Sequence, residues 1–236
     1  MGANAQIAVP AFTAGQVLTA AQQTQINTGI PVFATTTTRD AAFGGTGEKV
    51  LAQGQYAYIE ATSTLMVYSG SAWINAISSG LNLITAQTIG SAVSSVTVTN
   101  AFSATYDSYK ITVTGGVSSI ANSGLTMRLG ASATGYNNAF VYSAWNNTAS
   151  AAGGATQAQF DYAGIADTNG LNANMELNNP FLAKYTFIQA QDSSINLGGM
   201  SVCTHKVTTS YTDFTLTVTA GTITGGTVRV YGYANS

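Results

Sequence analysis

The sequence predicts a mainly β chain: a short N-terminal helix in a leading segment, a small β-meander, and a C-terminal antiparallel β-sandwich of jelly-roll type. Three observations carry this reading. From about Ile84 onward apolar and polar residues alternate with period two, as in Tyr109, Ile111 and Val113 against Lys110 and Thr112, or Phe214, Leu216 and Val218 against Thr215 and Thr217. Leu125, Met127 and Leu129 alternate in the same way with Thr126 and Arg128. Turn formers separate the runs, at Gly115-Gly116, Asn122-Ser123-Gly124, Asn169-Gly170, Asn178-Asn179-Pro180, Gly198-Gly199 and Gly225-Gly226. Finally, 236 residues suffice for one all-β domain with a smaller module in front of it. The expected boundaries are 1–35 for the leading segment, 36–80 for the meander and 81–236 for the sandwich.

In the leading segment Thr19 is placed to cap a helix, with Gln22 completing a capping box and Gly29-Ile30-Pro31 as the stop. So short a helix with few apolar positions is marginal alone, and needs tertiary or intersubunit contact to persist. Residues 35–49 run from Thr35-Thr36-Thr37-Thr38 through Arg39-Asp40 to a Gly-rich link at Gly44-Gly45-Thr46-Gly47. Strand signals follow at Gln55 to Glu60, Leu65 to Tyr68 and Ala72 to Asn75, with hairpin-length connections between them. A sheet this small leaves Tyr56, Tyr58, Tyr68 and Trp73 half exposed unless copies pack together, so these four are expected trimer contacts. Residues 143–159, rich in Ala, Asn, Gly and Ser, have no period and read as a long surface loop.

Composition excludes several function classes. Charged residues make up 7% of the chain, against roughly 25% in soluble domains. The surface must therefore be hydrated by Ser, Thr, Asn, Gln and Gly, which can also be buried against another subunit without stranding a charge. With seven basic residues and a net charge of -2 there is no basic patch for a phosphate backbone, so no nucleic-acid partner is expected. One Cys and one His assemble neither a disulfide framework nor a usual zinc site, and no metal or cofactor is expected. The first residues lack the basic and apolar regions of a secretory signal, and no stretch approaches 18 apolar residues, so the chain is expected to be made in the cytoplasm without inserting in a membrane.

Catalytic constellations are equally scarce. Cys203 and His205 would share one face of a strand, side by side rather than in a cleft. Glycoside hydrolysis needs two carboxylates at a set separation, whereas Asp107, Asp161, Asp167, Glu176, Asp192 and Asp213 read mostly as strand-edge or turn residues. The Gly44 to Lys49 run departs from a phosphate loop because Glu48 precedes Lys49 and Val50 follows it. The expectation is therefore a protein that is not an enzyme and has no catalytic residue.

Two groups of segments carry a resemblance. Phe12-Thr13-Ala14-Gly15-Gln16-Val17-Leu18-Thr19-Ala20-Ala21, Gly29-Ile30-Pro31-Val32-Phe33, Thr38-Arg39-Asp40-Ala41 and Val67-Tyr68-Ser69-Gly70-Ser71-Ala72-Trp73 resemble the attachment region of tail-fibre and minor-tail proteins of tailed bacteriophages. Phe102 to Ile111, Met127-Arg128-Leu129 and Gly226 to Gly232 are similar to the C-terminal β-domains of phage fibres. One departure is Gln22-Gln23-Thr24, where that family tends to place Asn.

The resemblance implies a virion structural protein, a homotrimeric tail fibre whose partners are itself, other tail or capsid proteins and a host surface glycan. Phe12, Val17, Leu18, Ile26, Ile30 and Phe33 would dock on the particle; Tyr136, Asn138, Tyr142, Trp145 and Asn146 would contact the receptor. The competing class is a capsid decoration or head-fibre protein, and a free carbohydrate-binding module is a third.

Overall fold

The computed structural model describes residues 6–27, 29–46, 48–77 and 80–235, with the backbone alone over 24–27. Two compact units divide at Ser78 and Ser79.

In the first unit, α1 (Ala20–Asn27) begins with the capping box expected from sequence: the Gln22 N–H donates to Thr19 Oγ1 at 3.2 Å, and the Thr19 N–H donates to Gln22 Oε1 at 3.0 Å. Strand β1 (Val32–Phe33) follows, then α2 (Thr36–Asp40). The threonine run thus forms a helix that sequence reasoning missed. Its box uses Thr38 where Glu or Gln is usual, with Thr35 and Thr38 each accepting the other's backbone N–H.

The meander is β2 (Tyr56–Ile59), β3 (Thr64–Tyr68) and β4 (Trp73–Asn75), all antiparallel, with β1 added in parallel to β2. The segments expected as 1–35 and 36–80 therefore share one sheet. Its inner face buries Phe33, Ala57 and Ile59 with Ala42, and Met66 and Trp73 pack on them.

The second unit contains β5 (Leu81–Thr88), β6 (Ser95–Val98), β7 (Ser108–Thr114), β8 (Val117–Ser118), β9 (Ser123–Leu129), β10 (Tyr136–Ala144) and β11 (Ala149–Gln157). It continues with β12 (Phe160–Asp167), β13 (Gly170–Asn178), β14 (Thr186–Ser193), β15 (Leu197–His205), β16 (Phe214–Val218), β17 (Ile223–Thr224) and β18 (Thr227–Tyr233). Hydrogen bonds order eight of them as β5-β18-β7-β13-β14-β15-β10-β11, and four more as β12-β9-β16-β6. Every pair is antiparallel. β13 crosses between the two sheets: Gly170 to Asn172 pair with β12, and Ala173 to Asn178 pair with β7.

The two sheets form the expected sandwich around one core. Phe102 ties them together, edge-on to Tyr109 of β7 at 4.9 Å and stacked with Phe214 of β16 at 5.7 Å. Alternation is kept in β7 and β16, where the apolar residues are buried and the Lys and Thr between them are not, whereas in β9 Thr126 is buried along with Leu125 and Met127.

Two local expectations need correction. Residues 143–159 are not a loop; they end β10, turn at Trp145 to Thr148 and form β11, paired from Ser143↔Ala149 to Tyr136↔Gln157. Ala, Gly and Ser have little strand preference of their own, and here partner β10 imposes the extended state. Gly198-Gly199 is not a turn but lies inside β15. A Cβ at Gly198 would sit 2.9 Å from the Trp145 ring, and one at Gly199 would sit 2.7 Å from Tyr142 Cβ, so the two glycines make room for aromatic neighbours.

Candidate functional site

The eight-stranded sheet is wider than its partner, and between its β10–β15 end and the strand β12 lies a cleft of about 150 Å³. Phe140 and Tyr142, two apart on β10, point into it with parallel rings 5.2 Å apart; Tyr162 of β12 closes on Phe140 at 3.8 Å. The result is a continuous wall of three half-buried rings. Gly124, Gly164 and Gly199 line the same cleft without adding side chains to fill it.

Its polar groups are Asn122, Asp161, Asp192 and Ser201. Asp161 accepts amide hydrogens from Asn138 at 3.1 Å and Gln159 at 3.1 Å. Ser201 donates to the Tyr162 carbonyl at 2.6 Å and fastens β15 to β12 across the sandwich. Asp192 differs: among the described residues nothing donates to its carboxylate, and burial pushes its pKa up from 3.8 to about 6. It occupies the inward register of β14 after Ile188 and Ala190, so a core-facing carboxylate was readable from the strand's own alternation. Tyr162 and Asp192 were the residues that sequence reasoning failed to join to Tyr142.

The expected receptor contacts separate. Tyr142 lines the cleft, but Tyr136 is fully buried and Asn138 nearly so, and neither can touch a ligand. Tyr136 receives the Leu129 N–H at 2.9 Å and stacks on His205 at 4.0 Å. Trp145 is 62% exposed, donates to the Ser194 carbonyl at 3.2 Å and lies over Gly198, whose register puts it on the opposite face from Tyr142. Asn146 is exposed in the same hairpin turn, where it accepts the Thr148 N–H at 3.2 Å.

The Cys203–His205 pair does share an inward face, deep in the core. Burial pushes the thiol up to about 12, which leaves it protonated and a poor nucleophile. His205 bonds Tyr211 Oη at 2.8 Å through Nε2, and burial lowers its pKa. At Gly45 the N–H that a phosphate loop would offer accepts no ligand role, because it donates to Glu48 Oε2 at 2.8 Å. Among the described residues no three His, Cys, Asp or Glu side chains gather as a metal site, and no helix is long and apolar enough to cross a membrane.

The expected contacts of the first unit also divide. Val17 (89%), Phe12 (41%) and Ile30 (39%) are exposed and Leu18 is half-buried, whereas Phe33 is fully buried in the unit's own core and cannot dock. The Ile26 side chain lies outside the described residues. Of the four aromatic contacts, Tyr56 and Tyr58 face outward, but Tyr68 and Trp73 face inward. Trp73 packs at 5.6 Å from Tyr68 and 5.9 Å from Phe43, with the buried Arg39 guanidinium 4.7 Å over its ring.

Compared with known proteins, the chain matches no family model, no curated protein and no solved structure.

Proposed function

We propose that the chain is a structural subunit of a tailed-bacteriophage virion, a homotrimeric fibre that performs no covalent chemistry and presents its sandwich to the host surface. The observation that carries the proposal is the outer face of the small sheet. Register places Val32, Tyr58 and Leu65 in one row and Tyr56, Val67 and Ile74 in the next, all pointing away from the unit's core. Ile74 is 51% and Tyr56 46% exposed. A half-buried antiparallel sheet normally has one apolar and one polar face. This sheet is apolar on both, so its second face calls for a partner surface, and identical copies supply one that is matched in chemistry.

The sandwich supports the same reading. The outward positions of β14, β15, β10 and β11 carry no charge, and include Phe187, Met200, Val202 and Val141, each about half exposed. The exposed apolar residues of the leading segment fit docking on a larger particle. Three linked copies of a weak surface contact gain apparent affinity through effective concentration.

Sedimentation velocity on the full chain tests the assembly: a trimer that dissociates on Tyr56→Ser with Ile74→Ser is expected, and a stable monomer overturns the proposal. Imaging of an intact particle then separates density at the tail from density on the capsid lattice, which would make the chain a decoration protein instead.

A further inference from the structure

We propose that the cleft between β10, β15 and β12 binds a single neutral hexose ring, its flat C–H face against the Tyr142 ring and its hydroxyls donating to Asp192. The inference deepens the host-attachment part of the reading above and rests on it for the source of the sugar. The cleft's chemistry selects the class. Three adjoining aromatic rings, Tyr142 stacked on Phe140 and Phe140 against Tyr162, make one side of the cleft apolar, which suits a ligand with one apolar face. Asp192 stands among them with no donor in the described chain, so its acceptor capacity is left for a ligand, and hydroxyl donors satisfy it with charge-assisted hydrogen bonds. Two carboxylates and no Lys or Arg line the space, which disfavours phosphate and acidic sugars. A largely apolar pocket with a few convergent polar groups is the usual form of a small-ligand site.

Hydrolysis is the other chemistry that two carboxylates suggest. Here both Asp161 oxygens already accept amide hydrogens, which holds that group as a structural acceptor rather than a free base. The site therefore binds the ring and leaves it intact.

Calorimetric titration of the full chain with the methyl glycosides of glucose, galactose, mannose and N-acetylglucosamine tests this. At least one is expected to bind. Asp192→Asn and Tyr142→Ala should each weaken it roughly tenfold, the loss of one hydrogen bond to a charged group or of one stacking face. Trp145→Ala, on the opposite face, should leave it unchanged. Affinity in the parent chain should also fall as pH drops below about 6, where Asp192 takes up a proton, and should stay flat in Asp192→Asn. Asp192→Asn removes an unpaired charge and keeps the test decisive should Tyr142→Ala fold poorly. Absence of binding by all four glycosides, equal binding in both cleft variants, or release of free sugar would each overturn the proposal. Sedimentation of the same samples keeps the two readings apart: a trimer that binds nothing sinks the cleft alone, and a monomer that binds sinks the assembly alone.

Discussion

Strands β10 and β15 run side by side for their whole length, yet their two ends do opposite things. At one end Tyr136, Asn138, Cys203 and His205 are sealed in the core. At the other, Phe140, Tyr142 and Gly199 face the same way and line an open cleft. Nothing in local strand chemistry distinguishes Tyr136 from Tyr142. The difference is imposed by what covers them: the sealed end is closed by side chains such as Tyr211, while the open end meets β12 with Asp161, Tyr162 and the bare backbone of Gly164. One strand pair thus supplies stability at one end and an accessible surface at the other.

The largest test of that contrast is truncation. Tyr136→Ala removes a fully buried ring and should cost about 3–5 kcal/mol in urea unfolding, as large aromatic deletions in cores do. Tyr142→Ala, half-buried in a cleft that already admits solvent, should cost clearly less. Equal losses would mean that the cleft is closed in solution.

A finer cut removes one atom. Tyr136→Phe keeps the ring but leaves the Leu129 N–H without its acceptor in a buried place, an expected loss of about 1–3 kcal/mol. Tyr142→Phe should be neutral within about 0.5 kcal/mol, the usual range for changes away from buried features. Paired urea midpoints for the two phenylalanine variants read this directly.

The sandwich, the meander and the α1 capping box were legible because each rests on local rules: period-two burial, turn formers and a Thr-x-x-Gln spacing. β11 was not, since Thr156 is the one strand-favouring residue from Ala149 to Gln157 and the segment's state comes from β10. The site was half legible. Tyr142, expected as a receptor contact, lines the cleft, but Tyr136, the same residue type six positions earlier on β10, and Asn138 are sealed, and only the covering sheet decides which positions are closed. The meander shows the same limit. Tyr56 and Tyr58 lie on one face and Tyr68 and Trp73 on the other, a division fixed by the β2–β3 register rather than by composition.

The smallest effect concerns charge, and here the two ends of the sheet carry opposite pH dependence. His205, at the sealed end, has a pKa lowered by burial, so the unfolded chain binds its proton more readily; the stability it contributes is present above about 6.5 and is lost as pH falls below that. Asp192, at the open end, has a pKa raised from 3.8 to about 6, so the folded chain holds the proton more readily, and stability is lost as pH rises through that window. Because Asp192 keeps partial contact with solvent, replacing it should recover only on the order of 1 kcal/mol at pH 7. Asp192→Asn is therefore expected to raise the melting temperature at pH 7 by a few degrees and to leave it unchanged near pH 3.5. His205→Phe should flatten only the decline on acidification below about 6.5. A gain from Asp192→Asn that is the same at both pH values would mean that folding does not raise the pKa of this carboxylate, and would remove the buried, unpaired acceptor on which the open end of the sheet depends.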